Sequence, residues 1–449
     1  MDVKAMVATA QRSGADLVRF LYCDSGNMVR GKGAHIGALP SLAETGIGLT
    51  VAMMGFTMVE RLAAGSAQGP VGEVRLVPEP GTFTVLPYDR RQARLICDLL
   101  TLDGELWEAY PRTFLKRMVA RAATRALEAQ AAFEYEFYLA RRRPDGQGFE
   151  PWDDSVCFGS AGMDSAAPFV DDLLAALVAQ GIQPQQYYPE LGPGQQELSI
   201  RHASALDAAD QNIAVRETVR GVAMQHGAVA SFAPKPFPEQ AGSGMHVHLS
   251  LWSGGRNALY APERPHGLSA LGSQFVAGIL QHLPGLLALT CPSVNSYSRL
   301  QPNSWSSAYT CWGLDNREAS VRVPSLFRGI EEASTNLEIK AVDGSANPYL
   351  ALGGILAAGL DGIARRLDPG EPVNMNPAVL SEDERRRRGV LRYPTSLGEA
   401  IAALEADPVL IEALGPALAR EALAVRRSEW ESFKERTPEQ VALAHFYRY

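Results

Sequence analysis

Glu134 and Glu136 in Phe133-Glu134-Tyr135-Glu136-Phe137 are separated by one apolar residue, and the same alternation carries His246 and His248 in Met245-His246-Val247-His248-Leu249. Successive side chains of a strand point to opposite faces, so each pair shares a face. Asn336-Leu337-Glu338-Ile339-Lys340 repeats the pattern, with Glu338 and Lys340 on one side. Glu190 and Glu197, at the two ends of Glu190-Leu191-Gly192-Pro193-Gly194-Gln195-Gln196-Glu197, add two more acids. Five carboxylates and two imidazoles on one half-buried surface repel one another unless cations neutralise them. Oxygen-rich ligation with little nitrogen and no thiolate suits Mg²⁺ or Mn²⁺. Taken singly, a Glu-x-Glu or His-x-His is most often a solvated strand face. The inference rests on the combination.

Arg299, Arg317 and Arg322 fall between the histidine strand and the Glu338 strand. Guanidinium forks recognise carboxylate and phosphate oxygens in pairs, so this series reads as anion clamps. Metals held by carboxylates can bridge a nucleoside triphosphate and neutralise charge as a phosphoryl group moves.

The elements that position these residues divide near Leu100. The first part begins with a helix over Val3 to Ser13, continues in strands at Asp16 to Tyr22 and Thr82 to Leu86, and carries a Gly/Ala/Pro-rich loop from Ala63 to Gly72. From Tyr110-Pro111-Arg112 onward, helices expected over Thr113 to Gln130, Val170 to Gln180, Ala205 to His226 and Asn347 to Arg366 alternate with the acidic strands. Arg385 to Arg388 is a basic run that reads as a solvated loop or helix face.

Composition sets limits. The 449 residues, 46% hydrophobic, can bury a large core in two or three domains. A net charge of −8, from 42 Lys+Arg against 50 Asp+Glu, speaks against a nucleic-acid partner. Cys23, Cys97, Cys157, Cys291 and Cys311 are odd in number and widely spaced, the pattern of reduced cysteines in a cytoplasmic protein. The longest apolar run, Ala351 to Leu360, is too short to span a bilayer, so no membrane partner is expected.

In chain order, Glu134/Glu136, Pro193-Gly194-Gln195-Gln196-Glu197, Lys235-Pro236, Gly242-Ser243-Gly244-Met245-His246, Asn295-Ser296-Tyr297-Ser298-Arg299-Leu300, Asn316-Arg317 with Arg322, and Asn347-Pro348-Tyr349-Leu350-Ala351 resemble the glutamine synthetase family from about Leu17 to the C-terminus. The resemblance implies an α+β chain: a β-grasp N-terminal domain over 1–103 and a catalytic domain over 104–449 with a curved antiparallel sheet flanked by helices. It implies that Glu136, Glu190 and Glu197 hold one metal and that Glu134, His246 and Glu338 hold another, with two or three Mg²⁺ or Mn²⁺ ions and ATP in each active site. His248 and Ser250 resemble residues that meet the nucleotide, Gly242 lies on the loop beside the amino acid, and Arg299 resembles the ligand of the glutamate α-carboxylate. Arg317 and Arg322 resemble the phosphate-binding pair. The implied reaction is attack of the glutamate γ-carboxylate on the terminal phosphoryl group of ATP, then aminolysis of the γ-glutamyl phosphate, with Arg317, Lys340 and Glu190 as catalytic residues. The family also implies self-association into a ring, commonly a dodecamer, with active sites between subunits.

Departures are as informative. Where the family carries an ammonium-binding aspartate, this chain has Thr50 or a neighbour, in a stretch that includes Met53, and where the family's flap glutamate closes the site it has Trp305. Desolvating NH₄⁺ against apolar groups is costly, whereas an organic amine recovers ~25 cal/mol per Å² of buried apolar surface. Thr50, Met53 and Trp305 therefore read as an amine pocket. Lys340, Asn336 and Ala241 replace an arginine, a basic residue and an asparagine of the family, and Asn374 to Glu382 lacks the tyrosine that some members have adenylylated. These features favour ligation of glutamate to an organic amine. Ordinary glutamine synthesis from ammonia is the alternative, and a non-catalytic structural or regulatory assembly is a third reading. Against the last stand all six metal-ligand positions, since a dead homologue should lose buried acids first.

Overall fold

The computed structural model describes residues 1–449. Its N-terminal part is a six-stranded sheet in the order Val29–His35, Leu17–Cys23, Asp89–Leu100, Glu73–Pro78, Ile47–Thr50, with Thr84–Leu86 also paired to Asp89–Leu100. The Leu17–Cys23 and Asp89–Leu100 strands run parallel, and the others pair antiparallel. Helices Val3–Arg12 and Leu39–Thr45 cover the sheet, burying Met6, Ala10, Leu39 and Ala43 against Phe20, Leu76 and Leu95. Asp2 caps the first helix by accepting the Ala5 N–H at 2.7 Å. This small core runs on through Trp107, Ala109 and Tyr110.

The larger part is built on an eleven-stranded sheet whose main path is Tyr309–Leu314, Ala319–Val323, Leu337–Ile339, Val247–Ser253, Glu128–Arg142, Gln195–Ile200, Pro184–Pro189. Pairing is antiparallel along it except between the first two strands, which are parallel. Helices Ala205–Gln225, Ala270–Thr290 and Pro348–Arg365 contribute to a single core of 79 buried residues. Pro348 sits at the helix start, where its missing N–H costs nothing, and Asn347 caps it through the Tyr349 and Leu350 N–H groups. No helix is long and apolar enough to cross a membrane.

Buried polar contacts lock the two parts together. Arg112, 1% exposed, bridges Asp98 on the small sheet and Asp210 on the 205–225 helix at 2.5 and 2.8 Å. Removing one partner of such a pair costs about 3–5 kcal/mol, because it strands the other charge. Asn27 Nδ2 donates to the Gly344 carbonyl at 3.0 Å, and Asn347 Nδ2 to the Asp24 carbonyl at 2.8 Å.

Three element boundaries differ from those the sequence predicts. The helix expected over Thr113 to Gln130 spans Pro111–Ala123; Ala126, at φ +55°, turns the chain, and Glu128 already belongs to the long strand that carries Glu134 and Glu136. The helix expected over Val170 to Gln180 begins ten residues earlier, at Ser160, and runs through Pro168. Proline is tolerated there because Pro168 and Asp164 are both exposed, so water can satisfy the carbonyl that loses its partner. The Thr82 to Leu86 strand is confined to Thr84–Leu86, since Pro80–Thr82 forms a 3₁₀ turn.

Candidate active site

Strand register assembles the polar face. Glu136 lies opposite Glu197, and Glu197 opposite Tyr188. Across the other edge of the long strand, His248 lies opposite Glu338, and Glu338 opposite Arg322. Residues remote in sequence thus share one surface through the period-2 geometry of strands alone. The surface floors a cavity of about 810 Å³ lined by Glu134, Glu136, Glu190, Glu197, His246, Glu338, Arg299, Lys340 and Arg317, with Gly242 on its wall.

Oxygen and nitrogen donors close in tightly. His246 Nδ1 lies 3.3 Å from Glu134 Oε2 and 3.4 Å from Glu338 Oε1, and one ligand atom from each of these three residues falls within 4.8 Å of the others. Glu136 accepts the Gly244 N–H at 2.9 Å. A Cβ at Gly244 would stand 2.5 Å from Arg299 Nη2 and 2.7 Å from His246 Nε2, so any other residue there would push these site side chains out of place. Gln195 Nε2 binds the Gly242 carbonyl at 3.0 Å and Ser243 Oγ at 3.1 Å, which fixes the Gly-Ser-Gly loop against the strands. The Tyr188 hydroxyl donates to Glu197 Oε1.

The charges fall into two groups. Glu338 is pushed up by burial but pulled down more strongly by Lys340, His246 and His248, ending at about 2, and Glu134 is likewise held well below the ordinary range, chiefly by His248. His248 in turn is raised to about 9, its burial outweighed by Glu134. Glu197 has no such cation, and Glu190 has only Lys340, whose pull is smaller than the push of burial and Glu136. Burial raises both, and the neighbouring carboxylates raise them further, Glu134 and Glu136 for Glu197 and Glu136 for Glu190. Glu190, Glu197 and Glu136, the last 3.7 Å from His246 Nε2, bring together carboxylates of the type a hard divalent cation takes, while the ligand atoms that gather within 4.8 Å of one another are those of Glu134, His246 and Glu338.

The basic residues expected at the site are arranged differently from one another. Arg299 is buried; its Nη2 donates to His246 Nε2 at 3.2 Å and to the Lys340 carbonyl at 3.3 Å, while Nη1 is buried with no partner. Lys340 Nζ lies 3.3 Å from Glu338, and Arg322 2.6 Å from the other oxygen of Glu338. Arg317 is exposed, forms no ion pair and lines both this cavity and a neighbouring one of about 500 Å³. His248 Nε2 lies 3.1 Å from Glu134 Oε1 and Nδ1 2.9 Å from Asn336, whereas Ser250 is taken up by the Trp252 indole at 2.9 Å. His248, Ser250 and Arg322 stand beside the main cavity and do not line it. Trp305 lines it, but Thr50 and Met53 of the same chain do not, lying instead at the end of the Ile47–Thr50 strand and on the turn that follows.

Sequence reasoning missed Cys157, Phe158, Tyr188 and Asn303, which also line the cavity. Tyr188 carried a usable signal, since it alternates with Gln186 on a strand next to the one bearing Glu197. Phe158 carried none, because it sits on a loop outside any periodic pattern.

Comparison with known proteins follows the same lines. Residues 1–107 match the glutamine synthetase N-terminal domain, and residues 108–444 match the glutamine synthetase catalytic domain. The chain is 37% identical over 438 residues to the gamma-glutamylpolyamine synthetase GlnA3 of Streptomyces coelicolor, covering 97% of this chain and 94% of the relative. It is 37% identical over 388 residues to the glutamine synthetase of Thermus thermophilus, covering 85% and 84%. Among solved structures, a novel glutamine synthase homolog superposes with a TM-score of 0.85 at 34% identity, covering 95% of this chain and 97% of that one. An ADP complex of GmaS superposes at 0.84 and 31%, covering 96% and 97%. By its sheet, its carboxylate surface and these matches across nearly its whole length, this chain belongs to the glutamine synthetase family.

Proposed function

We propose that the protein is an ATP-dependent ligase that joins the γ-carboxylate of glutamate to an organic amine. The observation that carries this reading is the single cavity in which a crowded acid surface, a buried guanidinium with a free donor and the rim residue Trp305 face one another. The identity to a gamma-glutamylpolyamine synthetase over 97% of the chain supports an organic acceptor.

Glu136, Glu190 and Glu197 would hold one divalent cation, and Glu134, His246 and Glu338 a second, with Mg²⁺ or Mn²⁺ as the ions and two or three in each site. Bound there, such ions neutralise charge on the nucleotide phosphates during transfer. The protein's own residues do the rest. Nη1 of Arg299 is a free, desolvated donor suited to the α-carboxylate of glutamate, and holding that end places the γ-carboxylate toward the acids. A γ-carboxylate oxygen bonds to the terminal phosphorus of ATP as the bond to ADP breaks. Arg317, free of any ion pair, and Lys340 balance the charge that spreads over the phosphoryl oxygens. The amine nitrogen then bonds to the acyl carbon, phosphate departs, and Glu190 takes the amine's proton. His248, Ser250 and Arg322, next to the acid surface, would meet the nucleotide.

A ring of subunits, with the dodecamer as the expected form, would bring Thr50 and Met53 of one subunit to the cavity of the next, because neither reaches the cavity of its own chain. The β-grasp and catalytic parts would then divide near residue 103. Five unpaired cysteines support a cytoplasmic location.

The alternative acceptor is ammonia, which the identity to a glutamine synthetase favours. The two are separated by supplying glutamate, ATP and Mg²⁺ with ammonium or an organic amine at equal concentration. The proposal expects a higher kcat/KM for at least one organic amine. Glutamine formed with a kcat/KM at or above that of every amine overturns it.

A further inference from the structure

The rim of the catalytic cavity holds two aromatic side chains in a backbone conformation that bulky residues avoid. Phe158 has φ +55° and Trp305 φ +57°, yet neither is buried, at 62% and 61% exposure. A left-handed non-glycine residue is ordinarily stabilised by a packed side chain, and here the side chains face the cavity, so packing does not explain the strain. Each is held instead by its backbone. The Phe158 N–H donates to the Pro189 carbonyl at 3.0 Å, and the Trp305 N–H to Glu318 Oε1 at 2.7 Å. Trp305 lies in a loop where Asn303 and Ser307 are also left-handed, at φ +61° and +67°. The Phe158 ring stands edge-on to Tyr188 with centroids 4.9 Å apart, and Tyr188 donates its hydroxyl to Glu197. Phe158 is therefore connected to the acid surface through Tyr188.

We propose that Phe158 and Trp305 form the recognition site for the carbon substituent of the acceptor, and that the substrate is a primary amine with an extended unbranched or planar substituent. The assignment rests on the amine-ligase reading above. With the nitrogen at the acids near Glu197, the substituent of such an amine runs outward along Tyr188 and Phe158 and meets the indole. On this assignment ammonium, which has no carbon substituent, gains nothing from the rings. Two exposed aromatic faces above a carboxylate floor match an amphipathic ligand, cationic at one end and apolar along its length. Glu318 is a positioning residue: it contacts the acceptor only through Trp305, by fixing the indole over the cavity. Its second oxygen is buried with no partner, so the carboxylate is retained at a cost that its grip on the Trp305 backbone accounts for.

The test measures kcat/KM for straight-chain primary amines of increasing length on the assembled enzyme, together with the KM for glutamate and the oligomeric mass. In the wild type, kcat/KM should rise by up to about fourfold per methylene until the chain spans the rim. Phe158→Ala and Trp305→Ala should flatten that rise while leaving the KM for glutamate unchanged. Glu318→Ala should behave like Trp305→Ala, whereas Glu318→Gln, which keeps an oxygen to accept the Trp305 N–H, should restore the wild-type dependence. An unchanged chain-length dependence in Phe158→Ala and Trp305→Ala overturns the assignment, as does loss of the oligomer in Phe158→Ala with that dependence intact, which would make the rim a contact between copies. A wild type that makes no amide from any amine overturns the amine-ligase reading itself, and a wild type that uses amines without regard to length overturns this inference alone.

Discussion

Arg299→Ala should raise the KM for glutamate and leave kcat close to that of the wild type. The guanidinium is 4% exposed and is held in place by His246 Nε2 and the Lys340 carbonyl on Nη2, so it is preorganised before substrate arrives. Nη1 is buried without a partner and waits for an anionic oxygen. A hydrogen bond to a charged group contributes roughly 1.5–3 kcal/mol, which corresponds to a rise in KM of about 10- to 150-fold. The low figure applies if water fills the gap left by the side chain, and the high figure if the α-carboxylate is left desolvated and unpaired. Arg299→Lys keeps the charge but loses the fork, and should recover only part of the loss. Glutamate saturation curves at saturating ATP and amine, with the amide quantified by mass spectrometry, give both parameters. A KM within about twofold of wild type accompanied by a collapsed kcat would show that Arg299 acts on the transferring phosphoryl group, and would remove it from the glutamate site.

How far the site was legible follows from what each residue depends on. Glu134, Glu136, His246 and Glu338 could be placed on common faces because strand periodicity is local, and the structure does bring those four residues to one cavity. The order in which the strands pair is not local, so the direct opposition of Glu136 to Glu197, and of His248 to Glu338, could not be derived from spacing, and the family resemblance implied only which of these residues share a metal. The parallel pairing of Tyr309–Leu314 with Ala319–Val323 was equally hidden, because the pattern of apolar residues does not reveal strand direction. Helix ends failed where one residue decided them. Ala126 in the left-handed region and an exposed Pro168 inside a helix both run against intrinsic preference, and the surrounding structure overrides it. The aromatic rim was half legible: Trp305 stood out as a replacement for an acid, whereas Phe158 comes to the cavity only through a loop conformation that no sequence pattern announces.

Other consequences can be measured separately. Glu197→Ala should abolish ATP-dependent amide formation without disrupting assembly, because in the metal-free protein Glu197 is repelled by Glu134 and Glu136 and its loss relieves that repulsion; amide formation at the wild-type rate would exclude the metal role. Arg317→Ala should lower kcat by roughly 10- to 100-fold with little change in the KM for glutamate, since its charge is needed most as the phosphoryl group transfers; the reverse pattern would place it on the amino acid. The pH dependence of stability has its clearest source away from the site, at His282 in the Ala270–Thr290 helix, which lies 2.7 Å from Asp407 and 3.0 Å from Asp361, the latter also paired with Arg365 at 3.0 Å. Burial pulls the His282 imidazole down, but its hydrogen bonds to the two carboxylates outweigh that and leave it above the ordinary 6.5. Asp407 is pushed up by burial and pulled down further by His282, ending below the ordinary 3.8. A raised histidine stabilises the native state fully below its unfolded pKa and loses that contribution as pH rises through the native value; a lowered aspartate stabilises above its unfolded pKa and loses that contribution as pH falls through the native value. The pair therefore contributes most between the unfolded values of 3.8 and 6.5. Replacing His282 by Gln should lower the thermal midpoint most near about pH 6 and progressively less toward about pH 9. Equal lowering at both pH values would mean that the charge on His282 adds nothing, and that only its packing beside Asp361 and Asp407 matters.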